Sequence, residues 1–385
     1  MEWVTCSDPR KESWARLLEY ANADIAFDYI ARRNGPTADA RQRDNYKKQA
    51  SQVRGALYQA REYFAAADAS SLFTSPNHLY YGVSSLASAV MLLRGDGRFS
   101  LDYLRKSGAN RSHGIDFTTG ATAKDCARDA QILDKSFCEI LDNGHFINWY
   151  GHSPNAIHLS ALIKTTSNGL VRSSIGRVAS KRVTPISKLE SRKSSLTELL
   201  IRLPDLSESY RRFGTRIAFT RTVIEKESRS TSDGEPAFEF TYRLFGTPDE
   251  SCFEEILWAF SIENDLQHLI KCVRGDTGGI VTVGPLKEGQ LYVAPEVRVS
   301  IEGHTLMYGQ SYELTEFGDA YLASFGLSML SRYFPDLWVT ALESHCRASK
   351  LAERFIDTYL AKFPMLALGS IQDKDVLFST HERPQ

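Results

Sequence analysis

Apolar residues recur at the spacing of an α-helix near both ends of this chain and at the spacing of a β-strand in its middle. The clearest helical pattern starts after Ser75, where one apolar stripe repeats at intervals of three and four: Leu79, Val83, Leu86, Ala87, Val90 and Leu93. Ser75 is expected to cap this helix, with Pro76 in the first turn, where a missing N–H costs nothing. Gly95 is expected to end it.

Further helices are predicted from helix-forming residues and from the signals that start or stop a helix. They are expected at residues 12–33, 37–67, 124–141, 196–203, 247–275, 316–334 and 338–363. The helix at 247 opens with a capping-box pattern, Thr247 followed by Pro248 and by Glu250 three residues on. Pro364 is expected to end the last helix.

The middle of the chain contains the predicted strands. Phe238, Phe240, Tyr242 and Leu244 alternate with polar neighbours, and residues 217–224 form a second β-rich run. The turn residues Ser232-Asp233-Gly234 lie between the two runs, so a β-hairpin is predicted. Further strands are expected at 279–283, 290–293 and 296–308.

These patterns predict an α+β fold that is predominantly helical, with N- and C-terminal helical parts around a middle α+β module with β-hairpins. The expected division is a helical region at 1–165, a basic connecting segment at 166–215, the α+β module at 216–314 and a C-terminal helical region at 315–385. A chain of 385 residues is long enough for more than one domain.

The composition is that of a globular protein, with 42% hydrophobic and 24% charged residues, which argues against a disordered or fibrous chain. No apolar run approaches the ~20 residues that a membrane-spanning helix needs, and the first residues lack a secretory pattern, so a cytoplasmic protein without membrane contact is expected. Six cysteines without any Cys-x-x-Cys pair indicate reduced thiols and no structural zinc. No metal and no cofactor is predicted.

Charge is distributed unevenly although the net charge is −1. Residues 164–221 carry 13 Lys and Arg against 4 Asp and Glu, whereas residues 222–321 carry 7 against 18. The basic stretch is a candidate surface for RNA or DNA, because phosphates bind clustered cations. Its candidate nucleic-acid-binding residues are Arg172, Arg177, Lys181, Arg182, Lys188, Arg192 and Lys193. Two alternatives stay open: the basic and acidic stretches face each other, or the basic stretch is a solvated linker.

Two signatures about 250 residues apart carry a family resemblance. They are Ser75-Pro76-Asn77-His78-Leu79-Tyr80-Tyr81-Gly82, followed by Arg111-Ser112-His113-Gly114, and Leu330-Ser331-Arg332-Tyr333-Phe334-Pro335-Asp336-Leu337-Trp338. Together they resemble the YaaC-like family of bacterial proteins, for which the resemblance implies no established reaction. The first signature is also similar to helical bundles of the HEPN type, which implies a place in toxin or phage-defence systems.

Familiar catalytic motifs are absent from the sequence. It contains no phosphate-binding Gly-x-x-x-x-Gly-Lys-Ser/Thr, no Gly-x-Ser-x-Gly and no His-Glu-x-x-His, which disfavours P-loop enzymes, α/β-hydrolases and zincins. The HEPN resemblance implies a nuclease pairing of Arg with a His five to seven residues later. Arg298 and His304 alone have this spacing, in a stretch that alternates like a strand and turn, so a chance match is the favoured interpretation.

Other histidines and the C-terminal signature give further candidates. His113, with Arg105 or Arg111, is the candidate catalytic group, although neither spacing matches the nuclease pattern. A metal site at His145, His152 and His158 is disfavoured, because their spacing defines no helix face or tight turn. Arg332, Pro335 and Trp338 are predicted to form a structural corner, with a ligand site as the alternative.

Three functional hypotheses follow. The favoured one is a non-catalytic or accessory scaffold that binds nucleic acid or a protein. The second is a metal-independent HEPN-type ribonuclease that uses His113. The third is a structural subunit that forms homo-oligomers. An enzymatic activity is therefore uncertain and the less favoured outcome.

Overall fold

The computed structural model describes residues 2–380 with short gaps. The gaps are 36–38, 109–111, 127–130, 154–155, 168–169, 182–188, 190, 214–218, 231–233, 246–253, 255–266, 276–277, 288–296, 309–313 and 375, and for 156–181 the backbone alone is described. Of the helix predicted at 247–275, residues 247–266 other than Glu254 fall outside the described residues, and so does the predicted strand at 290–293.

Thirteen α-helices lie in the described residues. In chain order α1 to α13 are Pro9–Glu19, Ala23–Asn34, Ala40–Ala69, Ser75–Arg94, Leu101–Ser107, Ala123–Cys126, Gln131–Asp134, His145–Tyr150, Leu196–Ile201, Ser207–Arg212, Glu316–Tyr333, Pro335–Glu343 and Arg347–Gln372. None of the helices in this described part is long and apolar enough to cross a membrane.

Thirteen strands in the same described part of the chain form three sheets. In chain order β1 to β13 are Glu2–Thr5, Ile115–Thr119, Ser136–Ile140, Ala156–Ser167, Leu170–Lys181, Lys193–Ser195, Phe219–Ser230, Pro236–Phe245, Ile270–Gly275, Gly278–Lys287, Val297–Val299, Thr305–Tyr308 and Val376–Ser379. The large sheet has the order β11-β12-β7-β8-β10-β9, with β4 paired to β5 and β7. A small sheet, β2-β3-β6, lies beside the helices, and β1 pairs in parallel with β13.

The helices of both chain ends share one hydrophobic core, which extends from Trp14 to Phe378. Helix α4 contacts α3, α11 and α13 within it. Gly82 allows the close approach of α4 to α3, because a Cβ at position 82 would lie 2.6 Å from a ring carbon of Phe64. The N- and C-terminal helical parts therefore form a single helical body.

Buried charges join the large sheet to this helical body. Nη2 of Arg298, on β11, lies 2.7 Å from Oδ2 of Asp319 on α11, and both side chains are buried. Nζ of Lys362, on α13, forms ion pairs with Asp205 and Glu316, also buried. Arg298 is therefore held in a buried ion pair. This agrees with a chance match of Arg298 and His304 to the nuclease spacing.

The predicted fold class is confirmed, with helices at both ends and a central sheet region. The predicted hairpin is confirmed as β7 and β8, which pair antiparallel from Arg221–Phe245 to Ser230–Pro236. The division at 165, 215 and 314 stays a prediction; strand β4 runs across its first boundary. The described part of 166–215 contains strands and helices, among them the short helix predicted at 196–203, which is α9, with Leu196 and Leu199 buried.

Several predicted helices are wrong in detail. The region 124–141 contains two one-turn helices and strand β3, whose pairing with both β2 and β6 outweighs the local helix preference. Residues 270–275 form β9, paired with β10, where the end of a helix was predicted. Residues 12–33 form two helices. The last helix continues past Pro364 to Gln372, because the buried residues around the proline offset its cost.

Candidate functional site

The facing sides of α4 and α11 carry a row of polar and aromatic side chains inside the helical body. Helix α4 contributes Asn77, Tyr80, Tyr81, Ser84 and Ser88, and α11 contributes Tyr321, Phe325, Ser328 and Arg332. Both sets follow the three-and-four spacing of one helix face. We call this row, together with His113 and His145, the tyrosine seam.

Two loop segments bring the histidines to the seam. The backbone N–H groups of His145 and Phe146 donate to the carbonyl oxygens of Ser112 and His113, at 3.1 and 3.0 Å. Gly144 has a φ of +122°, and a Cβ there would lie 2.4 Å from the backbone nitrogen of Gly114. The glycine is therefore required for the contact that fixes the two segments together.

A chain of hydrogen bonds runs along the seam. Nδ1 of His113 lies 2.6 Å from the hydroxyl of Tyr80, which is hydrogen-bonded to Tyr321. The Tyr321 hydroxyl lies 2.8 Å from Nδ1 of His145, and Nε2 of His145 lies 2.7 Å from Oγ of Ser88. The hydrogen-bond chain thus connects His113, an exposed residue, with the buried His145.

The direction of this chain follows from counting protons. Oγ of Ser88 also lies 3.0 Å from the carbonyl oxygen of Ser84, to which it can only donate. Nε2–H of His145 then donates to Ser88, Tyr321 donates to Nδ1 of His145, and Tyr80 donates to Tyr321. Nδ1–H of His113 donates to Tyr80, so every contact is one hydrogen bond. This arrangement leaves Nε2 of His113, an exposed residue, as the acceptor nitrogen of its ring.

Burial changes the pKa of each tyrosine and histidine in this hydrogen-bond chain. Desolvation raises the pKa of Tyr80 and of Tyr321 above the usual range of a tyrosine. Burial lowers the pKa of His145 to about 4, with the charge of His113 as a smaller cause. Burial, and then the charge of Arg332, lowers the pKa of His113. Both imidazoles are therefore neutral at neutral pH.

Arg332 lies at the outer end of the seam. Its Nη1 donates to the Tyr81 hydroxyl at 2.6 Å, and its guanidinium carbon lies 4.6 Å from the centre of the Tyr333 ring. The Tyr333 ring is 58% exposed. His113 and Arg332 hydrogen-bond to neighbouring tyrosines, Tyr80 and Tyr81, whose ring centres lie 5.5 Å apart. The acceptor imidazole and the guanidinium thus lie at the same end of the seam, next to the exposed Tyr333.

The two signatures that build this seam belong to one family pattern. A scan against protein-family models matches residues 19–371 to the family described as YaaC-like Protein. The chain belongs to the YaaC-like family. No curated protein and no solved structure gave a significant match.

Of the two arginines predicted to act with His113 in this YaaC-like chain, the described residues include only Arg105. Arg105 lies on α5 and forms an ion pair with Asp102, which is also paired with Lys48 at 2.7 Å. Arg111 lies outside the described residues. Arg332, predicted as a corner residue, lies in the last turn of α11 and hydrogen-bonds to Tyr81, the neighbour of the tyrosine that binds His113. Its role as a corner residue stays a prediction.

The basic segment is divided between two sheets. Arg172, Arg177 and Lys181 lie on β5, which among the described strands pairs with β4 alone. Lys193, on β6 of the small sheet, has its Nζ 5.0 Å from the centre of the Phe137 ring. Arg192 precedes it, and burial lowers the pKa of its guanidinium. Arg182 and Lys188 lie outside the described residues, so binding by this segment stays a prediction.

The other two corner residues have structural surroundings. Pro335 begins α12, and the ring of Trp338 is 1% exposed, with Nε1 donating to the carbonyl oxygen of Leu72 at 3.0 Å. Trp338 therefore fixes the loop before the Tyr-Tyr-Gly helix. Within the described residues no group of His, Cys, Asp and Glu side chains could hold a metal ion.

Sequence reasoning missed most of the hydrogen-bond chain that begins at His113. Tyr321, Ser88 and His145 were not candidates for a common site with it. The available signal was the polar spacing on α11, where Tyr321, Phe325, Ser328 and Arg332 follow at intervals of four, three and four. That spacing places them on one face, but it does not identify the helix they meet.

Proposed function

We propose that this protein binds single-stranded RNA at the outer end of the tyrosine seam, as a cytoplasmic accessory scaffold. The observation that carries the proposal is that His113 and Arg332 hydrogen-bond to the adjacent Tyr80 and Tyr81, at the outer end of the seam. The second signature thus supplies a cation next to the loop histidine of the first. A phage-defence or toxin-type context, suggested by the resemblance to HEPN-type bundles, belongs to the same proposal.

The chemistry of an RNA strand fits this arrangement. Arg332 uses two of its five N–H donors for the hydroxyls of Tyr81 and Tyr333, and the others can bind a phosphate. The ring of Tyr333 can stack on an unpaired base. A ribose 2′-hydroxyl can donate to Nε2 of His113, and this hydroxyl distinguishes RNA from DNA.

Binding of a labelled single-stranded RNA, followed by fluorescence anisotropy, tests this proposal. We expect affinity to fall with added salt, because the phosphate contact of Arg332 releases counterions. Arg332→Gln should weaken binding about 10- to 100-fold, the value of a lost charged hydrogen bond. Arg105→Gln is the matched control and should bind like the wild type. Absence of binding at low salt would remove the proposal.

A second candidate function is a metal-independent ribonuclease. It is favoured by one observation, the imidazole of His113 at the same end of the seam as the guanidinium of Arg332, which is the arrangement of a general base near a phosphate site. Incubation of RNA with the protein in the presence of a chelator tests it. Cleavage that is lost in His113→Ala would establish this function in place of the scaffold, and intact RNA would exclude it.

A further inference from the structure

A pocket of about 410 Å³ lies on another part of the helical body, where the loop before α4 meets the turn between α12 and α13. Its volume is in the range of small-molecule sites. The walls combine apolar and charged side chains: Leu72, Phe73, Leu342, Glu343, Lys350 and Glu353. None of these residues belongs to the tyrosine seam.

The apolar wall is firmly positioned. Leu72 accepts the hydrogen bond of the buried Trp338, and Leu342 is 8% exposed. Phe73 follows Leu72 and leaves 46% of its surface in water, although it is a large apolar side chain. A ligand that covers this ring gains the free energy of removing apolar surface from water.

The turn on the opposite side is also held in place. His345 has a φ of +48°, a left-handed conformation that is uncommon for a residue other than glycine. Its N–H donates to the carbonyl oxygen of Leu342 at 3.1 Å, and Oγ of Ser344 lies 3.2 Å from the carbonyl oxygen of Cys126. The pocket is thus formed before any ligand arrives.

The charged residues of the pocket, Glu343, Lys350 and Glu353, indicate the charge of the ligand that it would bind. Nζ of Lys350 lies 2.9 Å from Oε2 of Glu353, so these two charges balance each other. Glu343 adds a second, exposed carboxylate and gives the three groups a net negative charge. A positive ligand group can meet this carboxylate, and the exposed ring of Phe73 can add a cation–π contact.

We propose that this pocket binds a small organic cation, an apolar or aromatic body that carries one ammonium group. Three probes of nearly equal size separate charge from apolar contact: 2-phenylethylamine, 2-phenylethanol and 3-phenylpropionate. Titration calorimetry at neutral pH should show saturable binding of the amine, with the alcohol about three- to fivefold weaker and the carboxylate weaker still.

Two variants and one control locate the site. Glu343→Gln should reduce the affinity for the amine to that for the alcohol, and Phe73→Ser should weaken both probes. Glu302→Gln, an exposed carboxylate in the large-sheet region, should change neither. Equal binding of amine and alcohol by the wild type, no saturable binding of the amine, or amine binding that survives Glu343→Gln would each overturn the proposal.

Discussion

The hydroxyl of Tyr80 lies 2.6 Å from Nδ1 of His113 and joins the two parts of the N-terminal signature. Tyr80 is buried on α4, whereas His113 is an exposed residue on a loop. The hydrogen bond therefore fixes the position of the His113 imidazole relative to the helical body. Because Tyr80 donates onward to Tyr321, it fixes which nitrogen of His113 faces a ligand as an acceptor.

The first prediction concerns acid stability. The pKa of His145 is about 4 in the folded protein and ordinary, near 6.5, in the unfolded chain. Its neutral form therefore contributes stability above pH 6.5 that is lost as the pH falls toward 4. The loss should reach roughly 3 kcal/mol, at about 1.4 kcal/mol for each pKa unit.

The measurement is the free energy of unfolding in urea as a function of pH, for the wild type and for His145→Gln. Tyr321, Ser88 and His113 face His145 in both proteins, and carboxylates elsewhere titrate in both. The difference between the two curves therefore isolates His145. Parallel curves between neutral pH and pH 4 would show that His145 is not buried in its neutral form.

The second prediction concerns the corner. Trp338→Ala should lower the free energy of unfolding by about 3–5 kcal/mol, because the ring is buried and leaves a cavity. Trp338→Phe should cost less, because it keeps most of the packing and loses the hydrogen bond to Leu72. Urea unfolding measures both. A Trp338→Ala variant as stable as the wild type would mean that the ring is exposed.

The third prediction concerns the buried ion pairs of Lys362. Lys362→Met leaves Asp205 and Glu316 buried without their cation, so a loss of about 3–5 kcal/mol is expected. Lys350→Met on the same helix is the matched control, because its pair with Glu353 is exposed and worth ~0.5 kcal/mol. Equal, small losses in thermal unfolding of the two variants would show that the Lys362 cluster is solvated.

Local signals in the sequence were sufficient for the helices that build the seam. Apolar spacing and Pro76 located α4 to within a residue of its start, and the end of α11 before Pro335 was also expected. The alternation at 238–244 identified β8. These elements have a pattern that agrees with their tertiary environment, so the local preference and the fold coincide.

Contacts between distant residues could not be predicted in the same way. Strand β3 has apolar residues at Phe137 and Ile140, a spacing that also suits a helix, and pairing with β2 and β6 decides its structure. His145 and Tyr321 are 176 residues apart, and no spacing rule connects them. The seam depends on how α4 crosses α11, which a single sequence does not specify.

The most direct test of the account compares RNA and DNA of one single-stranded sequence. The acceptor at Nε2 of His113 should make the wild type bind RNA about 5- to 10-fold more tightly than DNA, the value of one hydrogen bond to the 2′-hydroxyl. His113→Phe, which keeps an aromatic ring, should bind both equally, at the affinity of the wild type for DNA. Equal affinity of the wild type for RNA and DNA, or an RNA preference that persists in His113→Phe, would contradict the account.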